Sequence, residues 1–233
     1  MNRWFLYQAI SCRMWAKAGF YQAGGATGFR DQLQDAMALV WSAPAMLRAQ
    51  IVTCAARQFP EGDVQHWWHA PTGAGVRTHF SDDLLWLPHA LAHYLRATGD
   101  RKYWNCPLPF LEGPAIAQEA EDAYFTPGVS SEQASLWEHA ARTIDASLRV
   151  GAHGLPPMGS GDWNDGMNTV GREGRGESVW LGWFCVTSWQ TCAAGTSAWR
   201  SGTCAALGGC GCAFKGRAAE QRLGWSAVLP CLF

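Results

Sequence analysis

Apolar residues recur every three to four positions through most of the first 184 residues, and the alternating β-branched pattern of a strand is almost absent. The spacing predicts a helix over residues 2–18, with Trp4, Leu6, Ile10, Met14 and Trp15 along one face. A second helix is predicted from about residue 31. A third runs from about 42 to 58 and carries Pro44 in its first turn, where a missing N–H breaks no helical bond. Residues 82–98 place Leu84, Leu87, Leu91 and Leu95 on one stripe, with Gly99 beyond the end to close the helix. The next helix is predicted over 130–150, with Ser130 as its cap, Gln133 as a capping-box partner, and Leu136, Ala140, Ile144 and Leu148 as its stripe. Another opens at Glu177. Residues 59–81 read as a loop too long for a plain connector and suited to binding, and 100–130 as a second loop rich in Pro and acids.

Short helices joined alternately by short turns and by long, aromatic, charged loops predict an all-α chain, a partial (α/α)6 toroid with ligands held where the long loops gather. About six helices are found, roughly half of what a closed six-hairpin barrel needs. The expected organisation is a catalytic segment over residues 1–184 and an atypical tail over 185–233. The tail holds six of the nine cysteines, no His and no Asp, and follows neither apolar period, so we expect it to be frameshifted or aberrantly terminated.

At 48% hydrophobic content with 14 Trp, the chain can bury a core. A formal net charge of −1 with interleaved signs argues against a nucleic-acid or anionic-membrane partner. With no signal-like start and no long apolar run, the expected location is the cytoplasm. Cys210 and Cys212 lack a second pair at zinc-finger spacing, and His89 and His93 lack a third ligand, so no metal is expected.

The chemistry concentrates in the turn from Gly159 to Asn168. Glycines at 159, 161 and 166 permit positive φ and close backbone approach, Asp162 and Asp165 supply acceptors or a proton, and Trp163 offers a flat apolar face. The bland reading is an Asx-rich loop tying down its own backbone.

Five stretches, in order, carry a resemblance. They run from Tyr21 through Phe29, Arg30, Asp31 and Gln32 to Asp35; from Glu61 through His66, Trp67 and Trp68 to His69; from Arg77 through Asp82 and Asp83 to Trp86; from Gly161 to Asn168; and from Gly174 through Glu177 to Trp183. Together they resemble glycoside hydrolase family 94, most closely the phosphorylase-type domain of cyclic β-1,2-glucan synthases, over residues 2–184. The resemblance implies an (α/α)6 catalytic barrel preceded by a β-sandwich domain outside this chain. It also implies inverting cleavage of a β-glucosidic bond, with inorganic phosphate as co-substrate and nucleophile and no other cofactor. An intact synthase-like parent would sit at the bacterial inner membrane.

By position in its motif, Asp165 resembles the family's general acid; burial beside Trp163 would raise its pKa in the direction an acid needs. Phosphate arrives as an anion, so one carboxylic acid suffices. Arg77 and the Asp82–Asp83 pair match the donor-sugar pocket; which aspartate faces the sugar is open, and the other caps the following helix. Asp162 either orients sugar hydroxyls or forms an Asx turn. Trp163, Trp67 and Trp68 are candidate stacking surfaces, one of the adjacent pair pointing into the wall. Arg30 and Gln32 either line an acceptor site or lock helix ends together.

The family's phosphate-binding His and Thr are expected beyond this chain, as is the remainder of the catalytic domain, so the chain alone is expected to be inactive. The competing readings are an inverting hydrolase with Asp82 or Asp83 as base, and a non-catalytic glucan binder or non-functional product.

Overall fold

A computed structural model describes residues 2–15, 25–117, 119–165 and 167–195. The expectations for 16–18 and for the tail beyond 195 fall outside the described residues. Helix α1, Asn2–Gln8, widens into a π-helical turn at Ala9–Met14. Its predicted stripe is not a buried one: Trp4 and Trp15 are 60% and 61% exposed, and Met14 alone packs against the core.

The helices expected from the apolar pattern are found with shifted bounds: α2 at Phe29–Met37, α3 at Pro44–Ala55, α4 at Asp83–Thr98, α5 at Leu136–Ser147 and α7 at Val179–Gly195; a single turn, α6 at Asn168–Gly171, was not expected. Helix α4 is central because it is apolar on two sides. Leu87, Leu91 and Leu95 face α2, α3 and α5 in one cluster, and Leu85 and Ala92 face Ile144, Leu181 and Cys185 in another. Gly99 ends α4 at φ 67°, donating its N–H to the Leu95 carbonyl. The position expected to divide catalytic segment from tail, 184, falls inside α7.

The all-α expectation is corrected by two antiparallel sheets. Strands β1, Ala26–Gly28; β2, Gln65–His69; β3, Gly75–Thr78; and β5, Asp122–Phe125, form one sheet in the order β1-β2-β3-β5. Strands β4, Pro107–Glu112, and β6, Gly128–Ser135, form the other. Both predicted long loops therefore contain strands. They escape a periodicity reading because they are short and polar or aromatic; β2 and β3 pair locally, but their outer neighbours β1 and β5 come from tens of residues away.

The same pairing moves a helix boundary. Residues 130–135 lie in β6, and Ser135, not Ser130, caps α5, its hydroxyl accepting the Glu138 N–H at 3.1 Å.

Candidate active site

The turn carrying Asp162 and Asp165 is fastened to the segment between β3 and α4. Phe80 bridges both Gly159 and Gly161, the Ser81 N–H donates to the Gly161 carbonyl at 3.0 Å, and the Ser81 hydroxyl donates to the Met158 carbonyl at 2.8 Å. Two glycines are required here. Gly159 has φ 67°, and a Cβ on it would lie 1.9 Å from the His79 carbonyl oxygen; a Cβ on Gly161 would lie 2.5 Å from the Phe80 ring.

Asp162 is 1% exposed and organises the turn from inside. Its Oδ1 accepts the Asn164 backbone N–H at 2.8 Å and the Asn164 side-chain amide at 3.1 Å, and its Oδ2 accepts the Ser178 hydroxyl. Ser178 in turn accepts the Leu181 N–H at 3.0 Å at the start of α7. The Asx-turn reading of Asp162 thus describes its geometry, with both oxygens committed to protein donors.

Arg30, in the first turn of α2, is the hub. Its Nη1 donates to Asp82 Oδ1 at 2.9 Å and to the Asp162 carbonyl at 2.8 Å, its Nη2 donates to Asp165 Oδ1, and its guanidinium lies 5.1 Å from the Phe80 ring centroid. The side chain is 5% exposed. Burial opposes its charge, but Asp82 and Asp83 outweigh that and hold its pKa above the ordinary value. Asp165, at the far end of the fork, is 74% exposed. The expected burial of its carboxyl beside Trp163 is not what is found: Trp163 is itself 49% exposed, its ring 6.4 Å from that of Trp180.

The two adjacent aspartates part company. Asp82 occupies the N-cap position of α4 but makes no capping bond; its oxygens are taken by Arg30 and by the Trp86 indole N–H at 3.0 Å. Burial, reinforced by the neighbouring Asp83 charge, pushes its carboxyl up to about 7. Asp83 gives Oδ2 to His66 Nδ1 at 2.7 Å, while its buried Oδ1 has no hydrogen-bond partner. His66 lies parallel to Phe80, with ring centroids 4.6 Å apart. Burial opposes its protonation, but the Asp83 carboxylate wins and raises its pKa.

The other expected site residues lie elsewhere. Arg77 is 2% exposed and is held by a different set of groups: Asp63 takes its Nε and Nη2 at 2.6 Å each, Glu61 and the Pro114 carbonyl take further donors, and the Phe59 ring centroid lies 3.8 Å away. Trp68 is 2% exposed in the main core, so it is the wall-facing member of its pair and offers no stacking face; Trp67, on the other side of β2, packs against His69 and Tyr124. Gln32 is buried beneath the site, its amide N–H donating to the Arg13 carbonyl at 3.3 Å and its Oε1 unpartnered. That arrangement matches the locking of helix ends. His89, pressed by burial and by His93 and Arg96, falls to about 4, and no cluster of metal-ligating side chains is found among the described residues.

The chain that carries this buried arginine and glycine-tight acidic turn has sequence counterparts among known proteins. The catalytic-domain model of the glycosyl hydrolase 94 superfamily matches residues 1–196. The chain belongs to that family.

It is 54% identical over 185 residues to the cyclic beta-(1,2)-glucan synthase NdvB of Rhizobium meliloti, a match covering 79% of this chain and 6% of NdvB. It is 30% identical over 182 residues to the solabiose phosphorylase of Paenibacillus borealis, covering 77% of the chain and 20% of that enzyme. It is 29% identical over 202 residues to the N,N'-diacetylchitobiose phosphorylase of Vibrio proteolyticus, covering 74% and 23%. The chain therefore spans a quarter or less of each. No helix among the described residues is long and apolar enough to cross a membrane.

Sequence reasoning missed three residues of the site. His66 lay inside a motif already singled out, and Trp86 sits at i+4 from Asp82, a spacing that puts both on one helix face. Ser178 directly follows Glu177 and precedes an apolar helical run, the usual place of a cap.

Proposed function

We propose that this chain supplies the donor-sugar and proton-donor part of a glycosyltransferase or phosphorylase acting on β-linked glucans, β-1,2-linked by its likeness to NdvB. Asp165 is the general acid of an inverting cleavage, and inorganic phosphate is the co-substrate, as the names of the phosphorylase relatives suggest. The observation that carries the reading is the unpartnered Oδ1 of Asp83 in a cluster that also holds Arg30 and Asp165.

A buried carboxylate oxygen without a donor costs free energy, and a sugar hydroxyl is the donor such a pocket awaits. This makes Asp83, not Asp82, the acceptor for the donor sugar. Asp82 has both oxygens engaged and serves instead to hold Arg30. Arg30 then fixes the Asp165 side chain at the rim, where the glycosidic oxygen of a bound disaccharide would receive the proton. Trp163, half-exposed in the same turn, supplies an apolar face for a pyranose ring.

Arg77 belongs to this reading as a wall residue whose ion pairs with Asp63 and Glu61 tie β3 to the loop before β2. Its donors contribute to sugar binding only if Glu61, the more exposed partner, yields one of them.

The test is calorimetric titration of the chain with sophorose, the β-1,2-linked disaccharide of glucose, beside the Asp83→Asn variant. Binding that is lost in the variant supports the reading; equal binding by both sinks the assignment of Asp83. In a complete family 94 catalytic domain carrying these residues, cleavage that proceeds equally without phosphate would favour the hydrolase alternative.

A further inference from the structure

His66 stands directly beside Asp83 at the edge of the site. It enters from β2, a different element from the α4 terminus that carries Asp83, and the two meet across the sheet–helix junction at 2.7 Å. The ring is held from two directions. Asp83 fixes its Nδ1 edge, and the near-parallel Phe80 ring, inclined by 7°, fixes its plane.

A histidine so fixed at one nitrogen presents the other in a set direction. Nε2 has no hydrogen-bond partner among the described residues, and the side chain remains 17% exposed, enough for one edge to reach a ligand. The Asp83 carboxylate also favours the protonated ring, in which Nε2 carries a hydrogen to donate.

Asp83 and His66 thus offer, side by side, one unfilled acceptor and one unfilled donor. Adjacent equatorial hydroxyls of a pyranose present the matching pair, since one hydroxyl can donate to the carboxylate while its neighbour's oxygen accepts from the imidazole. We infer that His66 is a specificity residue of the donor-sugar site, its Nε2–H donating to one hydroxyl of a vicinal diol whose other hydroxyl is held by Asp83 Oδ1. No bond is made or broken at His66; its contribution is to affinity and to selection of the sugar.

The inference rests on the reading of Asp83 as the sugar's acceptor. The experiment titrates sophorose into the full chain and into His66→Ala, His66→Gln and Asp83→Asn, with the wild-type imidazole followed by nitrogen-15 NMR. Removing a charged hydrogen bond should weaken sophorose binding on the order of 10- to 100-fold in His66→Ala, with partial recovery in His66→Gln, whose amide can still donate. Sophorose should also shift the His66 Nε2 resonance of the wild-type chain, which its loss in either His66 variant identifies, so that poor folding of one variant leaves the question answerable.

Binding that Asp83→Asn abolishes, with no His66 shift and normal affinity in both His66 variants, overturns this inference and leaves the reading of Asp83 intact. Absence of sophorose binding to the wild-type chain overturns both.

Discussion

Arg30 and Asp82 stand 52 residues apart in sequence and meet at 2.9 Å, both buried, with Asp82 turned away from the helix end it could have capped. The ion pair substitutes for a cap: α4 starts without a side-chain bond from its N-cap residue, and the carboxylate anchors the arginine that reaches Asp165.

The raised pKa of Asp82 gives stability a sign. A carboxyl that titrates near 7 when folded and near 3.8 when unfolded makes its full contribution below the unfolded value and loses it as pH rises through the folded one. The Asp82→Asn variant lacks this titration. Urea unfolding between about pH 4 and 8 should therefore show a stability deficit of the variant that is largest at low pH and narrows toward pH 8. A deficit independent of pH would place the titration elsewhere.

Replacement of Asp165 separates acid catalysis from binding. In a complete family 94 catalytic domain carrying these residues, Asp165→Asn should lower kcat on the order of 10²- to 10⁴-fold while KM for a β-linked glucooligosaccharide stays close to normal. Asp162→Asn should lower kcat less, because the amide keeps one acceptor for the Asx turn while its other end faces the Ser178 hydroxyl, which can reverse its bond. A larger defect in Asp162→Asn than in Asp165→Asn would reassign the acid.

Gly159→Ala tests the fastening of the turn. Positive φ and the His79 carbonyl both oppose a methyl group, so the substitution should cost about 1–3 kcal/mol in urea unfolding and weaken sophorose binding with it. Wild-type stability in this variant would mean that the turn relaxes freely and is not held by residues 79–81.

Trp68 and Arg77 should behave as wall residues. Trp68→Ala should destabilise by about 3–5 kcal/mol, the range for emptying a large aromatic site in a core. Arg77→Gln should cost about 1–3 kcal/mol, moderated by the partial exposure of Asp63 and Glu61. Neither change should alter sophorose affinity in the folded fraction. A selective affinity loss in Arg77→Gln, with unchanged unfolding, would return Arg77 to the sugar pocket.

What the sequence determined by itself was local or motif-borne. Helix α4 was legible because a 3.6-residue period is written within it, α2, α3 and the start of α7 because they are helix-length apolar stretches, and Pro44 and Gly99 mark a start and an end. The acidic glycine turn and the family were legible because residue types at fixed spacings carry them. The tertiary structure decided what depends on partners distant in the chain. Strand β6 pairs with β4, from Glu112 against Gly128 to Pro107 against Ser135, and pulls the start of α5 from 130 to 136, a choice no local propensity records. Asp82 and Asp83 are chemically identical neighbours in sequence; only the positions of Arg30, Trp86 and His66 around them fill one carboxylate and leave an oxygen of the other unpartnered. Arg77 and Trp68 carry the residue types of a sugar site, but Asp63, Glu61 and the packed core claim them first. A side chain's role is set by which groups reach it, and that is a property of the folded chain.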